Sequence, residues 1–332
     1  MRRTVLLFNG DGTTRLAEEP LEAPEEGEVQ VKTLASLISA GTERLVLNGN
    51  IDASLTDTTA GGSSFSYPRT YGYCCVGRVT GRGAGVPASI LGKRVFGFLP
   101  HATHHTVSAD TLYELPDSVG THDATFIPNV ETALSIVWDA QIGPGSRVVL
   151  IGVGLVGTLV ARMLQQIPAL DLLVVDRPDP LDRHPHLGDT VRRCTSDAFS
   201  SDVLPSAWTN GPDVIIELSG APDMLQRALN ASGQETRVVL GSWYGTKSAM
   251  LDLGAAFHRK RLTIAATPVS TLPARRKTRW SKPRQLQAAI QLTEMLSPSN
   301  NSVDRVSFRE APSVYAQLQS SSLAHPTILT YR

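Results

Sequence analysis

Val148-Val149-Leu150-Ile151-Gly152-Val153-Gly154-Leu155-Val156-Gly157 is the stretch on which the fold turns. Four apolar residues run straight into a GxGxxG pattern. Beyond it, Val156, Val160, Met163, Leu164 and Ile167 recur at helical spacing. Strand, glycine turn and helix in that order are the setting a dinucleotide-binding fingerprint requires. Gly152 permits the tight turn, Gly154 lets a pyrophosphate approach the backbone, and Gly157 lets helix and strand pack closely. The helix start at Leu155 and Val156 then turns its N–H groups and positive dipole end toward phosphate. Asp176 closes the next apolar strand, about 20 residues on, where a carboxylate accepts hydrogen bonds from ribose hydroxyls and repels a 2′-phosphate. That favours NAD(H). Arg177 beside it could pair with such a phosphate, so NADP(H) stays open.

Working outward, residues 121–271 alternate strand and helix. The strands read Arg147–Ile151, Leu172–Asp176, Val214–Leu218, Val238–Gly241 and Leu262–Ala265. Several are near-continuous apolar runs, as parallel strands buried on both faces require. The class is α/β, a doubly wound Rossmann sheet. Ligands bind such sheets at the carboxyl ends of the strands, so Ser219 and Gly220, and Ser242 and Trp243, are expected to touch the cofactor. Tyr244 is expected to line the substrate pocket. Residues 1–120 read instead as short strands and turns punctuated by Gly and Pro. They include Val5–Phe8, Glu28–Leu34, Tyr73–Thr80, Arg94–Phe98 and Thr106–Ser108, with a small polar stretch at Asp52–Ser66 that reads as a loop or a lid. Residues 272–332 hold a basic run (Arg275, Arg276, Lys277, Arg279, Lys282, Arg284), two helices and two strands, and are expected to return to the first domain.

A chain of 332 residues suits two domains rather than one core. Lys plus Arg and Asp plus Glu number 31 each, leaving no whole-protein field to attract nucleic acid or an anionic membrane. No apolar run nears the ~20 residues of a membrane span. The apolar start Thr4–Phe8 meets Asn9-Gly10-Asp11-Gly12 too soon for a signal peptide and reads as a first strand. The 3 cysteines, Cys74, Cys75 and Cys194, make neither a disulfide framework nor a CxxC zinc pair. A reducing cytoplasm is the expectation.

Taken together, this order of parts resembles the medium-chain dehydrogenase/reductase superfamily over essentially the whole chain. The likeness rests on Ala40-Gly41-Thr42-Glu43, Gly72-Tyr73, Gly92-Lys93-Arg94-Val95-Phe96-Gly97, Leu115-Pro116-Asp117 and Glu131-Thr132-Ala133-Leu134. It implies a GroES-like β-rich catalytic domain (1–120), an inserted Rossmann domain (121–271) and a returning C-terminal segment. Zinc members of the superfamily carry ligands where this chain has Ala40, Tyr73 and a position near Pro128. A zinc ion needs three or four protein donors, so no metal is expected. Gly41-Thr42-Glu43-Arg44-Leu45, Tyr71-Gly72-Tyr73 and Ser242-Trp243-Tyr244-Gly245 look like the branch that contains bacteriochlorophyllide dehydrogenase. That implies hydride transfer at a secondary alcohol or ketone of a biosynthetic small molecule.

Without a metal, side chains must supply the proton that accompanies the hydride. Tyr73 stands at a ligand position and is the first candidate. Thr42 keeps the hydroxyl that zinc relatives use in proton relay, and Glu43 could orient either; alternatively Tyr73 only fills space and Glu43 pairs with Arg44 or another cation. Thr132 is a cofactor contact by its place before the glycine turn. Glu131 is a pocket candidate, or a helix-start carboxylate behind an Asn129 cap. His101, His104 and His105 follow a strand in a short loop and read as exposed or at a rim, with His101 able to reach the pocket. The basic run is a solvated face or a reader of acidic groups. Reduction of an activated C=C, and a non-catalytic dinucleotide-binding protein, are the competing readings. The resemblance further implies a homodimer through the last Rossmann strand, near Leu262–Ala265.

Overall fold

The computed structural model describes residues 1–52, 54–57, 63–178, 187–188, 191–321 and 323–331. The chain forms two compact units, one of Met1–Pro128 with Ala289–Arg332, the other of Asn129–Ala288. The division falls later in sequence than the texture change at 120. It also leaves the basic run inside the second unit rather than with the returning tail.

In the first unit, β1 (Arg2–Phe8) pairs antiparallel with β2 (Thr14–Pro20), and β3 (Glu28–Leu37) leads into helix α1 (Ala40–Leu47). Of the Asp52–Ser66 stretch, residues 53 and 58–62 lie outside the described residues. The rest includes a small ribbon of β4 (Thr56–Asp57) and β5 (Ser63–Ser64). Then come β6 (Arg69–Thr70), β7 (Cys75–Arg82), β8 (Arg94–Gly97), β9 (His104–Ser108), β10 (Leu112–Glu114), α2 (Thr121–Ala124) and α3 (Ile127–Ala140). The Rossmann unit contributes β11 (Arg147–Ile151), α4 (Leu155–Leu164), β12 (Asp171–Asp176), β13 (Arg192–Thr195), β14 (Val214–Glu217), α5 (Pro222–Ala231), β15 (Arg237–Leu240), β16 (Thr263–Ala266) and α6 (Lys282–Leu296). The tail supplies β17 (Asp304–Ser307), α7 (Ala311–Ser320) and β18 (Thr327–Thr330).

The tail does return to the first unit. β18 pairs antiparallel with β3, extending the order β10-β8-β7-β3-β18-β17, and β9 pairs with β3 as well. Leu6, Phe8, Ile38, Leu47, Tyr71, Tyr315 and Leu329 form one core of this unit, and Val29, Val31, Val79, Val86 and Val95 a second. Period-two alternation along β1 and β3 explains which side chains reach those cores.

The second unit is a parallel sheet of order β13-β12-β11-β14-β15-β16. That is the doubly wound order, with its switch point between β11 and β14. Val149, Ile151, Leu173, Ile215 and Val238 meet Met224, Leu225 and Leu229 of α5 in its core.

The histidines correct the sequence reading. His104 and His105 open β9 rather than a loop, and His101 and His105 are fully buried. The strand register carries alternate side chains of this segment inward, which a polar PHATHH string conceals. Burial, with Arg3 next, pushes the His105 pKa down to about 3. The unfolded chain binds a proton at its ordinary pKa of about 6.5, and the folded chain does not. Stability should therefore fall as pH drops below about 6.5, by up to about 1.4 kcal/mol per pH unit from this group. Urea denaturation at pH 7 and pH 5 measures it, and His105→Gln should flatten the dependence.

All three cysteines are thiols rather than disulfides, Cys74 and Cys75 buried and Cys194 half-buried. Burial raises all three pKa values, that of Cys75 to about 12.

Candidate functional site

The glycine turn is built as its sequence requires. Gly152 sits at φ +94°, and a Cβ there would lie 2.5 Å from the Leu218 carbonyl carbon. Only glycine fits both the backbone and the neighbouring end of β14. A Cβ on Gly157 would meet the Gly152 carbonyl oxygen at 1.9 Å, so α4 lies hard against the turn. Gly154 differs, since a Cβ there meets nothing within 4 Å. It is exposed at the N-cap of α4, beside Leu155 and Val156, whose first-turn N–H groups have no partner within the helix. An open cradle beside a helix start fits a dinucleotide pyrophosphate. Gly152→Ala should abolish measurable dinucleotide affinity, for NADH and NADPH alike, in calorimetry. A Gly154→Ala variant should keep its fold and lose part of that affinity, because its methyl occupies the open space alone.

Asp176 ends β12 and braces the turn. Its Oδ2 accepts from Val153 N–H and its Oδ1 from Arg177 N–H, each at 2.7 Å. Arg177 is exposed and Thr132 half-buried. The loops after β14 and β15 are tied together by a residue the sequence reading missed. Glu217, wholly buried, accepts from Ser219 N–H at 2.7 Å, from the Ser219 hydroxyl, and from the Tyr244 hydroxyl at 3.0 Å. Ser242 Oγ accepts from Gly220 N–H at 2.9 Å and also bonds the same carboxylate. The Tyr244 hydroxyl, expected to line a pocket, is thus committed to Glu217, while Trp243 is 43% exposed. A glutamate interrupting the apolar run Val214–Leu218 was the available signal.

The helix-start reading of Glu131 is corrected too. Helix α3 begins at Ile127, so Asn129 lies inside it rather than at its N-cap. Glu131 is buried and ion-paired with Lys282, which also donates to Val269 O at 2.7 Å and Gln285 Oε1 at 2.8 Å. Nor is the basic run simply a solvated face. Arg276 stacks 4.3 Å over the Trp138 ring, Arg284 lies 4.1 Å over Trp280, and Arg275 approaches Asp139 at 3.7 Å.

The first unit gathers the other candidates. Tyr73 is half-buried just before β7, and its hydroxyl donates to Ser39 Oγ at 2.6 Å and shares a hydrogen bond with Thr42. Burial raises its pKa above the ordinary phenol value, with Cys74 next among the causes. The hydroxyl therefore stays protonated. Ser39 precedes α1, and its N–H donates to Glu43 Oε1 at 2.8 Å. The basic side chain described against Glu43 is His101. Glu43 Oε2 accepts from the Tyr315 hydroxyl and faces His101 Nε2 at 3.1 Å. His101 Nδ1 lies 2.7 Å from Ser36 Oγ, which shares a 2.7 Å hydrogen bond with the Tyr331 hydroxyl. An Nε2–H tautomer satisfies both ring nitrogens at once. Gly72, at φ +116°, leaves room for that ring, since a Cβ there would stand 2.8 Å from His101 Cδ2. Ser36 and Ser39 lie far in sequence from Tyr315 and Tyr331, and no motif joined them. Among the described residues, no group of three or more His, Cys, Asp or Glu is placed to hold a metal ion.

In a search of solved structures, 2R,3R-butanediol dehydrogenase from Bacillus subtilis superposes with a TM-score of 0.79, covering 99% of each chain at 17% identity. The likeness shows a shared fold. Acetophenone reductase from Geotrichum candidum, solved in complex with NAD, superposes with a TM-score of 0.78 over 99% of this chain and 97% of its own at 15% identity. By sequence, 2-dehydro-3-deoxy-L-galactonate 5-dehydrogenase from Pseudoalteromonas atlantica is 23% identical over 293 residues, 78% of this chain and 81% of the relative. No family model matches the chain. No helix among the described residues is long and apolar enough to cross a membrane.

Proposed function

We propose that this chain is a zinc-independent NAD(P)-dependent oxidoreductase acting at a secondary alcohol or ketone of a small biosynthetic molecule, with Tyr73 as its proton donor. The observation that carries the reading is the Tyr73 hydroxyl, half-buried, held protonated and bonded to Ser39 and Thr42. It occupies a position where zinc members of the superfamily carry a ligand. When bound, the dinucleotide supplies a hydride to the carbonyl carbon. Tyr73 O–H gives its proton to the oxygen, and the C=O becomes CH–OH. The Ser39 and Thr42 hydroxyls can pass a proton back to the phenolate. Glu43 touches neither reacting atom; it fixes Ser39 from the backbone side.

The relatives support the class, since those reported above are dehydrogenases or reductases by name. The narrower likeness to the bacteriochlorophyllide dehydrogenase branch belongs to the same proposal. So do the preference for NAD(H) over NADP(H), a cytoplasmic setting, and a homodimer formed through β16, the edge strand of the parallel sheet. Oxidation of NADH and NADPH with a panel of ketones and enones tests the activity. Turnover of ketones that survives dialysis against a strong chelator is the expected result. Activity that is lost to the chelator and returns with zinc defeats metal independence, and turnover of enones alone defeats the carbonyl reading.

A further inference from the structure

Each half of a doubly wound sheet takes one mononucleotide. Asp176 on β12 marks the half β11–β13 as the one that meets the ribose whose 2′-position distinguishes NAD from NADP. The half β14–β16 is left for the nicotinamide nucleotide, and Glu217 is the last residue of its first strand.

The surroundings of Glu217 fix its form. Ser219 Oγ accepts from Ala221 N–H at 3.1 Å and Ser242 Oγ from Gly220 N–H at 2.9 Å. The hydrogen of each hydroxyl is then free to point at the carboxylate, as those of Tyr244 and the Ser219 amide do. Four donors converge on one side chain. A carboxylate, which only accepts, satisfies them all; a carboxylic acid would turn an O–H against a donor. Burial works the other way and holds the pKa somewhat above the ordinary value. Lys247 Nζ bonds the Gly220 carbonyl oxygen at 2.9 Å rather than Glu217, and the carboxylate has hydrogen-bond donors but no cation among its described partners.

We propose that Glu217 selects the redox state of the bound cofactor: a fixed negative charge in the nicotinamide half favours the oxidised ring, which is cationic, over the neutral reduced ring. The inference rests on reading the glycine cradle as a dinucleotide site. Glu217 is a positioning residue for the two loops as well. A purely structural role, however, would weaken both cofactor forms alike, whereas a charge acts on one.

The test is the ratio of dissociation constants for NAD+ and NADH, by calorimetry or fluorescence, in the wild type, Glu217→Gln and Tyr244→Phe. Glutamine keeps the shape, and the Tyr244 and Ser242 hydroxyls can turn to accept from its amide. In Glu217→Gln the affinity for NAD+ should fall by about ten-fold or more relative to NADH, the size expected of one unit charge within ~12 Å at an effective dielectric of ~20. Tyr244→Phe removes a hydrogen bond and leaves the charge, so its ratio should stay that of the wild type. Equal loss of both forms in Glu217→Gln, no change in either, or the same altered ratio in Tyr244→Phe overturns the proposal. Should the glutamine variant not fold, the apolar isostere Glu217→Met carries the same expectation. Failure of the wild type to bind either nucleotide defeats the dinucleotide reading itself, a distinct result.

Discussion

Tyr73→Phe is expected to lower kcat for ketone reduction by about 10²–10³, the worth of one positioned general acid, while the Kd for NADH stays that of the wild type. The substitution removes one oxygen and leaves the ring, which packs edge-on against Tyr71 with centroids 6.1 Å apart. The cradle residues Gly152, Gly154 and Gly157 belong to the other unit and are untouched. Thr42→Ala should cost less, since Ser39 still accepts from the phenol. The pH profile gives a second check. Burial raises the Tyr73 pKa, so the acid form persists through pH 10 and no loss of reduction rate below that pH should trace to this group. Unchanged kcat in both Tyr73→Phe and Thr42→Ala removes the proton donor from the account. A pre-steady-state burst of NADH oxidation separates a slow chemical step from slow product release.

Glu43→Ala should destabilise the first unit by several kcal/mol, at about 1–3 kcal/mol for each buried donor left without an acceptor. His101, the Tyr315 hydroxyl and the Ser39 amide would all lose their acceptor. All three are buried, and none could turn to water. Against a total stability of 5–15 kcal/mol such a loss is a large fraction. Glu43→Gln should cost less, because one amide oxygen can still accept from Ser39 N–H. Denaturant midpoints for the two variants, read with the wild-type slope, decide it. A midpoint for Glu43→Ala within experimental error of the wild type would mean that the network carries no weight.

How much of this could be read in the chain depended on what signalled it. The parallel sheet was legible because β11, β12, β14 and β15 are buried on both faces and spell near-continuous apolar runs. β13 was not: Arg192-Arg193-Cys194-Thr195 is an edge strand, largely solvent-facing, and nothing apolar marks it. β2 was missed for the same reason, since Thr14–Pro20 is polar and only half-covered. Helix α1 hid behind its motif, because Ala40-Gly41-Thr42-Glu43 reads as a loop until Leu45, Val46 and Leu47 are seen to be buried.

The candidate site divided along similar lines. The glycine turn carries its own context, so Gly152, Gly154 and Gly157 could be placed from spacing alone. Tyr73, Thr42 and Glu43 came from a motif, and the fold brings all three to one cluster. Apart from His101, their partners did not come with them. Ser39, Tyr315 and Tyr331 join the cluster through the pairing of β18 with β3 and the seating of α7, contacts that span most of the chain. Glu131 and Tyr244, expected at the pocket, are held by Lys282 and Glu217. A polar side chain near a site is often there to satisfy another buried group, and sequence does not show which.

The paired sulfur atoms at the head of β7 have a use that has nothing to do with hydride chemistry. Cys74 and Cys75 are sealed within the β-rich unit and kept in the unreactive thiol form, whereas Cys194 sits half-covered in the Rossmann unit. An alkylating reagent should modify Cys194 first and reach the other two only when the central strands part. Mass spectrometry of the labelled chain over time would then record, without any engineered probe, how often each half of the molecule breathes.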